Sequence, residues 1–316
     1  MLGQRMEEEL REQPTLLQQN WAFYDDFAAQ SLRGKEFQLV LLVARGSSDN
    51  AALYARYLIE IYLGIPVVLA APSVLTRYDK KIRYPKNTLA IGISQSGAAP
   101  DVSEVMGYIR ESGHTTFAIT NTPKSTITDL AEFSLLLNLK KEVAVAATKT
   151  YSASLLALYA VCRGLKADLE CPHLPDDLWV QQCGTRARVD STRLPDCENL
   201  FTLARGIRFC SAEESALKLM ECALLPCLSY SQADFEHGPK ALASDKSAAI
   251  VYGQPPAHWK NEGFHYSQAP ERAGVAEAIQ PIWDAIYAQW LALVVARQRG
   301  LDPDKPEGLL KVTKTL

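Results

Sequence analysis

The chain has 316 residues, 47% apolar and 22% charged, with a net charge of −3 from 33 basic and 36 acidic side chains. This balance excludes disordered, collagen-like and low-complexity architectures, and it excludes the broad basic surface of a nucleic-acid binder, while leaving room for one small anion held by backbone N–H groups. No run reaches the ~18 uninterrupted apolar residues of a membrane span, and the acidic start Met6-Glu7-Glu8-Glu9 is the opposite of a signal peptide, so the expectation is a cytoplasmic protein with no membrane or nucleic-acid partner.

In chain order, residues 7–31 read as a helical extension interrupted around Pro14. The apolar run Phe37-Gln38-Leu39-Val40-Leu41-Leu42-Val43-Ala44-Arg45-Gly46 reads as a strand and turn, followed by Ser47-Ser48-Asp49 and a helix over 51–60. Strands follow at 65–70 and 88–93, a helix at 101–111, strands at 116–120 and 133–137, and a long apolar helix at 153–164. Residues 168–199 read as a connection carrying one helix. The second half repeats the pattern: Leu200-Phe201-Thr202-Leu203-Ala204-Arg205-Gly206 precedes a helix over 213–223, and the two Ala-Arg-Gly triplets are offset by 160 residues. Strands are expected at 200–204, 227–229 and 248–252, and a long amphipathic helix at 281–298. Where the first copy has Ser94-Gln95-Ser96-Gly97, the second has Gly253-Gln254-Pro255-Pro256, and only 257–263 precedes Phe264-His265-Tyr266. The second copy is thus shorter by about one helix. Alternating helices and β-branched strands imply parallel sheets covered on both faces.

All seven cysteines lie between Cys162 and Cys227, with no Cys-x-x-Cys and no histidine at a zinc-like spacing. Free, mostly buried thiols are expected, with no metal and no cofactor.

In a parallel sheet, ligands bind at the carboxyl ends of the strands. Two such ends in the first half carry hydroxyls on tight turns: Gly46-Ser47-Ser48, and Ser94-Gln95-Ser96-Gly97. Either turn alone reads as ordinary helix capping. Both on equivalent turns point to a phosphate at paired helix N-termini. On the second-half helix, Glu214, Lys218 and Glu221 fall on one face at i, i+4 and i+7. By itself that face reads as a solvated salt-bridge stripe, and His237 and Lys311 read as ordinary surface residues.

Together, Arg45-Gly46-Ser47-Ser48, Ile93-Ser94-Gln95-Ser96-Gly97, the run Glu142-Val143-Ala144-Val145-Ala146-Ala147-Thr148-Lys149-Thr150-Tyr151, Glu214-Ser215-Ala216-Leu217-Lys218-Leu219-Met220-Glu221, Glu236-His237-Gly238-Pro239 and the C-terminal Asp302-Pro303-Asp304-Lys305-Pro306 resemble the sugar isomerase (SIS) domain family. They look like the isomerase half of glucosamine-6-phosphate synthase, and closer still to stand-alone two-SIS-domain deaminases and isomerases. The resemblance implies two tandem three-layer α/β/α subdomains, flavodoxin-like and doubly wound, the second shortened. Residues 1–33 would be the helical extension, 34–167 the phosphate-binding first SIS domain, 168–199 the connection, and 200–316 the second SIS domain, whose tail completes the active site. It implies that Ser47, Ser48, Ser94, Gln95 and Ser96 bind the sugar phosphate, with Glu214 on the substrate side of the helix. Glu221 would move a proton between C1 and C2, and His237 would open the ring, reaching in from the partner of a homodimer. Lys218 and Lys311 would stabilise the developing oxyanion. The chemistry fits: one carboxylate can serve two adjacent carbons, and histidine titrates near neutrality.

Three departures stand out. Ala98-Ala99 replaces a polar residue and a Thr or Ser, removing one phosphate donor; Met220 stands where synthases have a lysine; and Leu225-Pro226-Cys227 replaces a His-Ala-Glu stretch. The chain begins with its own helix and has no Cys at position 2, so the expectation is sugar chemistry without glutamine hydrolysis. The leading expectation is conversion of glucosamine 6-phosphate, bound in the cleft between lobes, to fructose 6-phosphate and ammonia. Plain aldose–ketose isomerisation, deglycation of a fructosamine 6-phosphate and non-catalytic sugar-phosphate sensing are the alternatives.

Overall fold

The computed structural model describes residues 1–306 and 308. Two compact units make up the chain. One comprises Met1–Thr15, Lys141–Ser152 and the described chain from Pro172 onward; the other comprises Leu16–Lys140 and Ala153–Cys171.

The second of these holds a five-stranded sheet of β1 (Leu39–Val43), β2 (Val67–Leu69), β3 (Thr88–Ile93), β4 (Thr115–Thr120) and β5 (Phe133–Leu136). All pairings are parallel, in the order β2-β1-β3-β4-β5. This is the flavodoxin-like order, whose reversal point lies between β1 and β3. Every residue of β3 is buried, as a central strand covered on both faces must be. One face is covered by the helix Pro100–Glu111, which presents Val102, Val105, Met106 and Ile109 at i, i+3, i+4 and i+7 to Leu41, Val43, Ala90 and Ala118. On the other face the long N-terminal helix (Gln4–Leu32) places Phe27 edge-on to Phe117, with ring centroids 6.0 Å apart.

That N-terminal helix is continuous through Pro14, against the expected interruption. An interior proline loses a backbone hydrogen bond and costs ~3 kcal/mol. Tertiary partners flank this one: the Gln13 amide donates to Gln289 Oε1 at 2.6 Å and accepts from Ser152 Oγ at 2.7 Å, and Lys149 Nζ meets Glu12 at 2.8 Å. The cost of the kinked ladder is offset by contacts distant in sequence.

The other unit holds a four-stranded parallel sheet of β6 (Asn199–Ala204), β7 (Leu228–Ser231), β8 (Ser247–Tyr252) and β9 (His265–Gln268), in the order β7-β6-β8-β9. It is the first sheet's order with the last strand missing. Between β8 and β9 runs only a 3-10 turn, Ala257–Asn261, where the first sheet has a twelve-residue helix. Strand β9 escapes the sequence reading because it is four residues long, polar and only partly buried.

The helix Gln280–Gln298 corrects a further expectation: it is not amphipathic. Every residue from Gln280 to Ala296 is buried. It is a central core helix, carrying Trp283, Tyr287 and Trp290, and Trp283 meets Trp179 edge-on at 5.2 Å. Several of its polar residues find internal partners. Asp284 accepts from Arg208 Nη2 at 2.7 Å and Nε at 2.9 Å and from Ser211 Oγ at 2.9 Å, and Gln289 Nε2 donates to the Thr148 carbonyl at 3.1 Å. Polar residues on several faces imitate amphipathicity in sequence when each has a buried partner. No helix among the described residues is long and apolar enough to cross a membrane.

Candidate active site

The five-stranded unit carries the serine turns. Val43 of β1 pairs with Gly92 of β3, so the turns that follow leave the same sheet edge side by side. The β1 turn leads into helix α2 (Ser47–Leu63) and the β3 turn into the helix Pro100–Glu111; Gly46 and Ala99, at their N-caps, give no side-chain cap. The first N–H groups of such helices are left for another acceptor, and the helix dipoles favour an anion there. Ser47, Ser48, Gln95 and Ser96 are half-buried at this edge. Ser94 is different: it is 7% exposed, and its Oγ accepts from the Gly97 N–H at 3.1 Å, closing the turn from inside. Gly97 sits at φ 64°, and a Cβ there would lie 2.1 Å from Ser125 Oγ, so the turn demands glycine twice over.

One pair of residues was not picked out by sequence reasoning. Arg45, at the end of β1, donates to Asp101 Oδ2 at 2.8 and 3.0 Å, and Asp101 is in the first turn of the helix after β3. The pair ties one turn to the other and neutralises a carboxylate that would repel an anion. In sequence, Asp101 reads only as an acid favourable at a helix start.

The four-stranded unit carries Glu214, Lys218 and Glu221 on helix α8 (Phe209–Ala223). The face is not a solvated stripe. Glu214 and Lys218 are completely buried, Lys218 Nζ lies 3.5 Å from Glu214 and bonds Glu221, and the Glu221 side chain keeps 26% exposure. Burial by itself would lower the Lys218 pKa; the carboxylates of Glu214 and Glu221 outweigh it and hold the ammonium above the ordinary lysine range. The ammonium holds a carboxylate whose side chain keeps some access to solvent.

Near that end of the helix, Cys222 Sγ is 3.9 Å from Met6 Sδ. The Met6 and Arg5 backbone N–H groups donate to Asp304 at 2.9 and 2.8 Å, and Gly3 N–H donates to Asp302 at 2.8 Å. The Asp302-Pro303-Asp304 motif thus caps the first helix from almost 300 residues away. Lys311 lies outside the described residues.

His237 ends the short helix Gln232–Glu236 and is exposed, with no side-chain hydrogen bond among the described residues. Its neighbour Glu236 is bonded by Lys240 (2.8 Å), His258 (3.1 Å) and Trp259. Burial alone would raise the Glu236 pKa, but those bonds hold it down to about 2. Glu236, His258 and Glu262 are close enough to share a cation, but Lys240 Nζ already meets Glu236 at 2.8 Å and Glu262 at 2.6 Å. An ammonium stands where a metal would.

The two parallel sheets and their strand orders define a class: a doubly wound α/β protein. Comparison with known proteins narrows it. Residues 38–162 match the SIS domain. Over 97% of its length the chain is 30% identical to the isomerizing glutamine–fructose-6-phosphate aminotransferase of Methanothermobacter thermautotrophicus, covering 56% of that protein. It superposes on the C-terminal domain of glucosamine-fructose-6-phosphate aminotransferase from Francisella tularensis with a TM-score of 0.80 at 24% identity, covering 96% of this chain and 98% of that one. For the glucosamine-6-phosphate deaminase of Thermotoga maritima the TM-score is 0.78 at 23% identity, with 98% and 100% covered. The chain thus carries a SIS-domain match over residues 38–162 and is similar to these proteins along nearly its whole length. It spans about half the length of the curated relatives it matches.

Proposed function

We propose that this protein is a phosphosugar isomerase that converts glucosamine 6-phosphate to fructose 6-phosphate and ammonia. The observation that carries the reading is the α8 array, in which a wholly buried ammonium holds Glu221 while the Glu221 side chain keeps 26% exposure. This is what a base serving two adjacent carbons needs: fixed orientation and access to one side of the substrate. The uncapped turns at Ser47-Ser48 and Gln95-Ser96 receive the phosphate, and the Arg45–Asp101 pair holds them in register.

In the reaction, His237 opens the pyranose, in an arrangement where a homodimer's second chain contributes it. Glu221 takes the proton from C2 and returns it to C1, while the C1 oxygen gains a proton and the C2–N bond becomes an imine. Water adds at C2 and ammonia leaves, giving the ketose. Lys218, fully buried, acts as a positioning residue for Glu221. Protonation of the C1 oxygen falls to Lys311. No step requires a metal or cofactor.

A coupled assay for ammonia and fructose 6-phosphate, run on glucosamine 6-phosphate, plain aldose 6-phosphates and a fructosamine 6-phosphate, tests the reading. Ammonia and ketose in equal amounts support it. Ketose from plain aldose phosphates without ammonia from the amino sugar would reduce it to simple isomerisation. Tight phosphosugar binding without turnover on any substrate would overturn it in favour of a sensor.

A further inference from the structure

Between β8 and β9 the four-stranded sheet keeps a single 3-10 turn, Ala257–Asn261, where the first sheet has a helix, and the proposed reaction makes no use of it. This turn and the Glu262 that follows bring three polar side chains to one place beside His237, all within one unit. Trp259 is 1% exposed and packs edge-on against Phe235 at 5.5 Å, which is itself edge-on to Phe201 of β6 at 5.1 Å. The Trp259 indole N–H donates to Glu236 Oε1, and His258 Nε2 lies 3.1 Å from the same oxygen. The carboxylate next to the histidine is thereby tied to the core of the sheet. Its other oxygen accepts from Lys240 Nζ at 2.8 Å, and Lys240 meets Glu262 at 2.6 Å. Glu236 and Lys240 stand at i and i+4 on either side of His237-Gly238-Pro239, so their ion pair closes that elbow. On the near side, the His237 N–H donates to the Asp234 carbonyl at 3.0 Å, and the Asp234 N–H donates to Ser231 Oγ at 3.1 Å. The backbone is held on both sides of His237, while its side chain is exposed and without a hydrogen-bond partner among the described residues.

We propose that this cluster is a clamp for His237, in which Glu236 is a positioning residue held by Trp259, His258 and Lys240. In ring opening the C1 hydroxyl loses a proton, the bond from C1 to the ring oxygen breaks, and the ring oxygen gains a proton. One imidazole that serves both oxygens must be aimed, and not merely present. Partly exposed ion pairs such as those of Lys240 contribute little to stability. A displacement of ~1 Å in a proton-transfer group can cost a reaction about a hundredfold. The cluster therefore matters more to where His237 stands than to whether the unit folds. What is left of the second crossover has become a support for the elbow. The inference rests on the ring-opening role proposed for His237; the geometry of the clamp does not.

The test is a double-mutant cycle on the full chain, with kcat and KM measured beside thermal unfolding on whichever phosphosugar of the panel above turns over. His237→Gln should lower kcat by about a hundredfold or more, as for loss of an acid–base group. Glu236→Ala should lower kcat by about tenfold with KM unchanged, the signature of a misplaced group. Glu236→Gln should restore most of that loss, because an amide oxygen still accepts from the Trp259 indole. Lys240→Met opens the same elbow from its other side and should reproduce the loss. In the His237→Gln background, Glu236→Ala should have no further effect, since no imidazole remains to be aimed. Equal losses from Glu236→Ala in both backgrounds overturn the clamp, because a purely structural role would be additive. No loss from either Glu236→Ala or Lys240→Met, with His237→Gln still impaired, also overturns it and leaves His237 in its role. No turnover on any substrate, or near-normal kcat in His237→Gln, refutes the ring-opening role itself, and the clamp falls with it.

Discussion

The two sheets start from one strand order and end with different equipment. In the five-stranded sheet, β3 leads through Ser94–Gly97 into a full helix with an uncapped N-terminus. In the four-stranded sheet, the equivalent β8 leads through Gly253 into a single 3-10 turn, and the strand that would follow β9 is missing. The loss is tolerated because β6 and β8 pair over six residues and because α8 and the buried helix Gln280–Gln298 cover the shortened sheet. The difference teaches that a duplicated lobe can give up a crossover helix and its serine turn without losing its register, since the ladder alone supplies the strand order.

If this division of labour holds, damage to each lobe should have its own signature. The largest effect belongs to the α8 array: Glu221→Gln should lower kcat by about 10²–10⁴-fold, as expected for loss of a general base, with a lower unfolding midpoint because buried Lys218 loses one of its carboxylates. Steady-state kinetics beside thermal unfolding check this, and near-normal kcat would remove Glu221 from the reaction. Lys218→Met should destabilise the fold by about 3–5 kcal/mol, because it leaves buried carboxylates without their cation; denaturant titration reads it. In the phosphate lobe, Gly97→Ala should cost about 1–3 kcal/mol of stability through positive φ and the clash with Ser125. Arg45→Ala should raise KM for a phosphosugar by about tenfold while sparing kcat. A fall in kcat of the same size would show that the turns do more than bind.

The smallest effect concerns the first helix. Thr148 Oγ1 lies 2.9 Å from both Glu9 and Glu142, and one hydroxyl proton cannot serve two carboxylates. Burial, with the charge of Glu142, pushes the Glu9 pKa above its usual 4.5, so the folded state keeps a proton there that the unfolded chain releases earlier. The resulting stability is complete below the unfolded value and is lost as pH rises through the folded one. Glu9→Gln should remove that loss, so the gap between the two melting temperatures should change from pH 4.5 upward. A constant gap would show that Glu9 is already ionised.

Much of this could be read from residue order alone. Eight of the nine described strands, the helix after β3 and α8 follow from local periodicity, and the serine turns and the Glu214-Lys218-Glu221 spacing follow from position along those elements. What the order of residues could not show was how α8's charges are housed. The same i, i+4, i+7 pattern describes a wet stripe and a buried array, and only packing made Lys218 inaccessible while leaving Glu221 partly exposed.

The sequence by itself therefore determined the alternation of strands and helices, the duplication and the places where chemistry collects, because these depend on neighbours within a turn or two. The tertiary structure decided the rest: that the first helix runs through Pro14, that the helix Gln280–Gln298 is core rather than surface, that Arg45 meets Asp101, and that Asp302 and Asp304 cap a helix almost 300 residues earlier. Each of these depends on a partner remote in the chain, and a hydrogen bond or a buried charge pair carries no local periodicity from which it could be read.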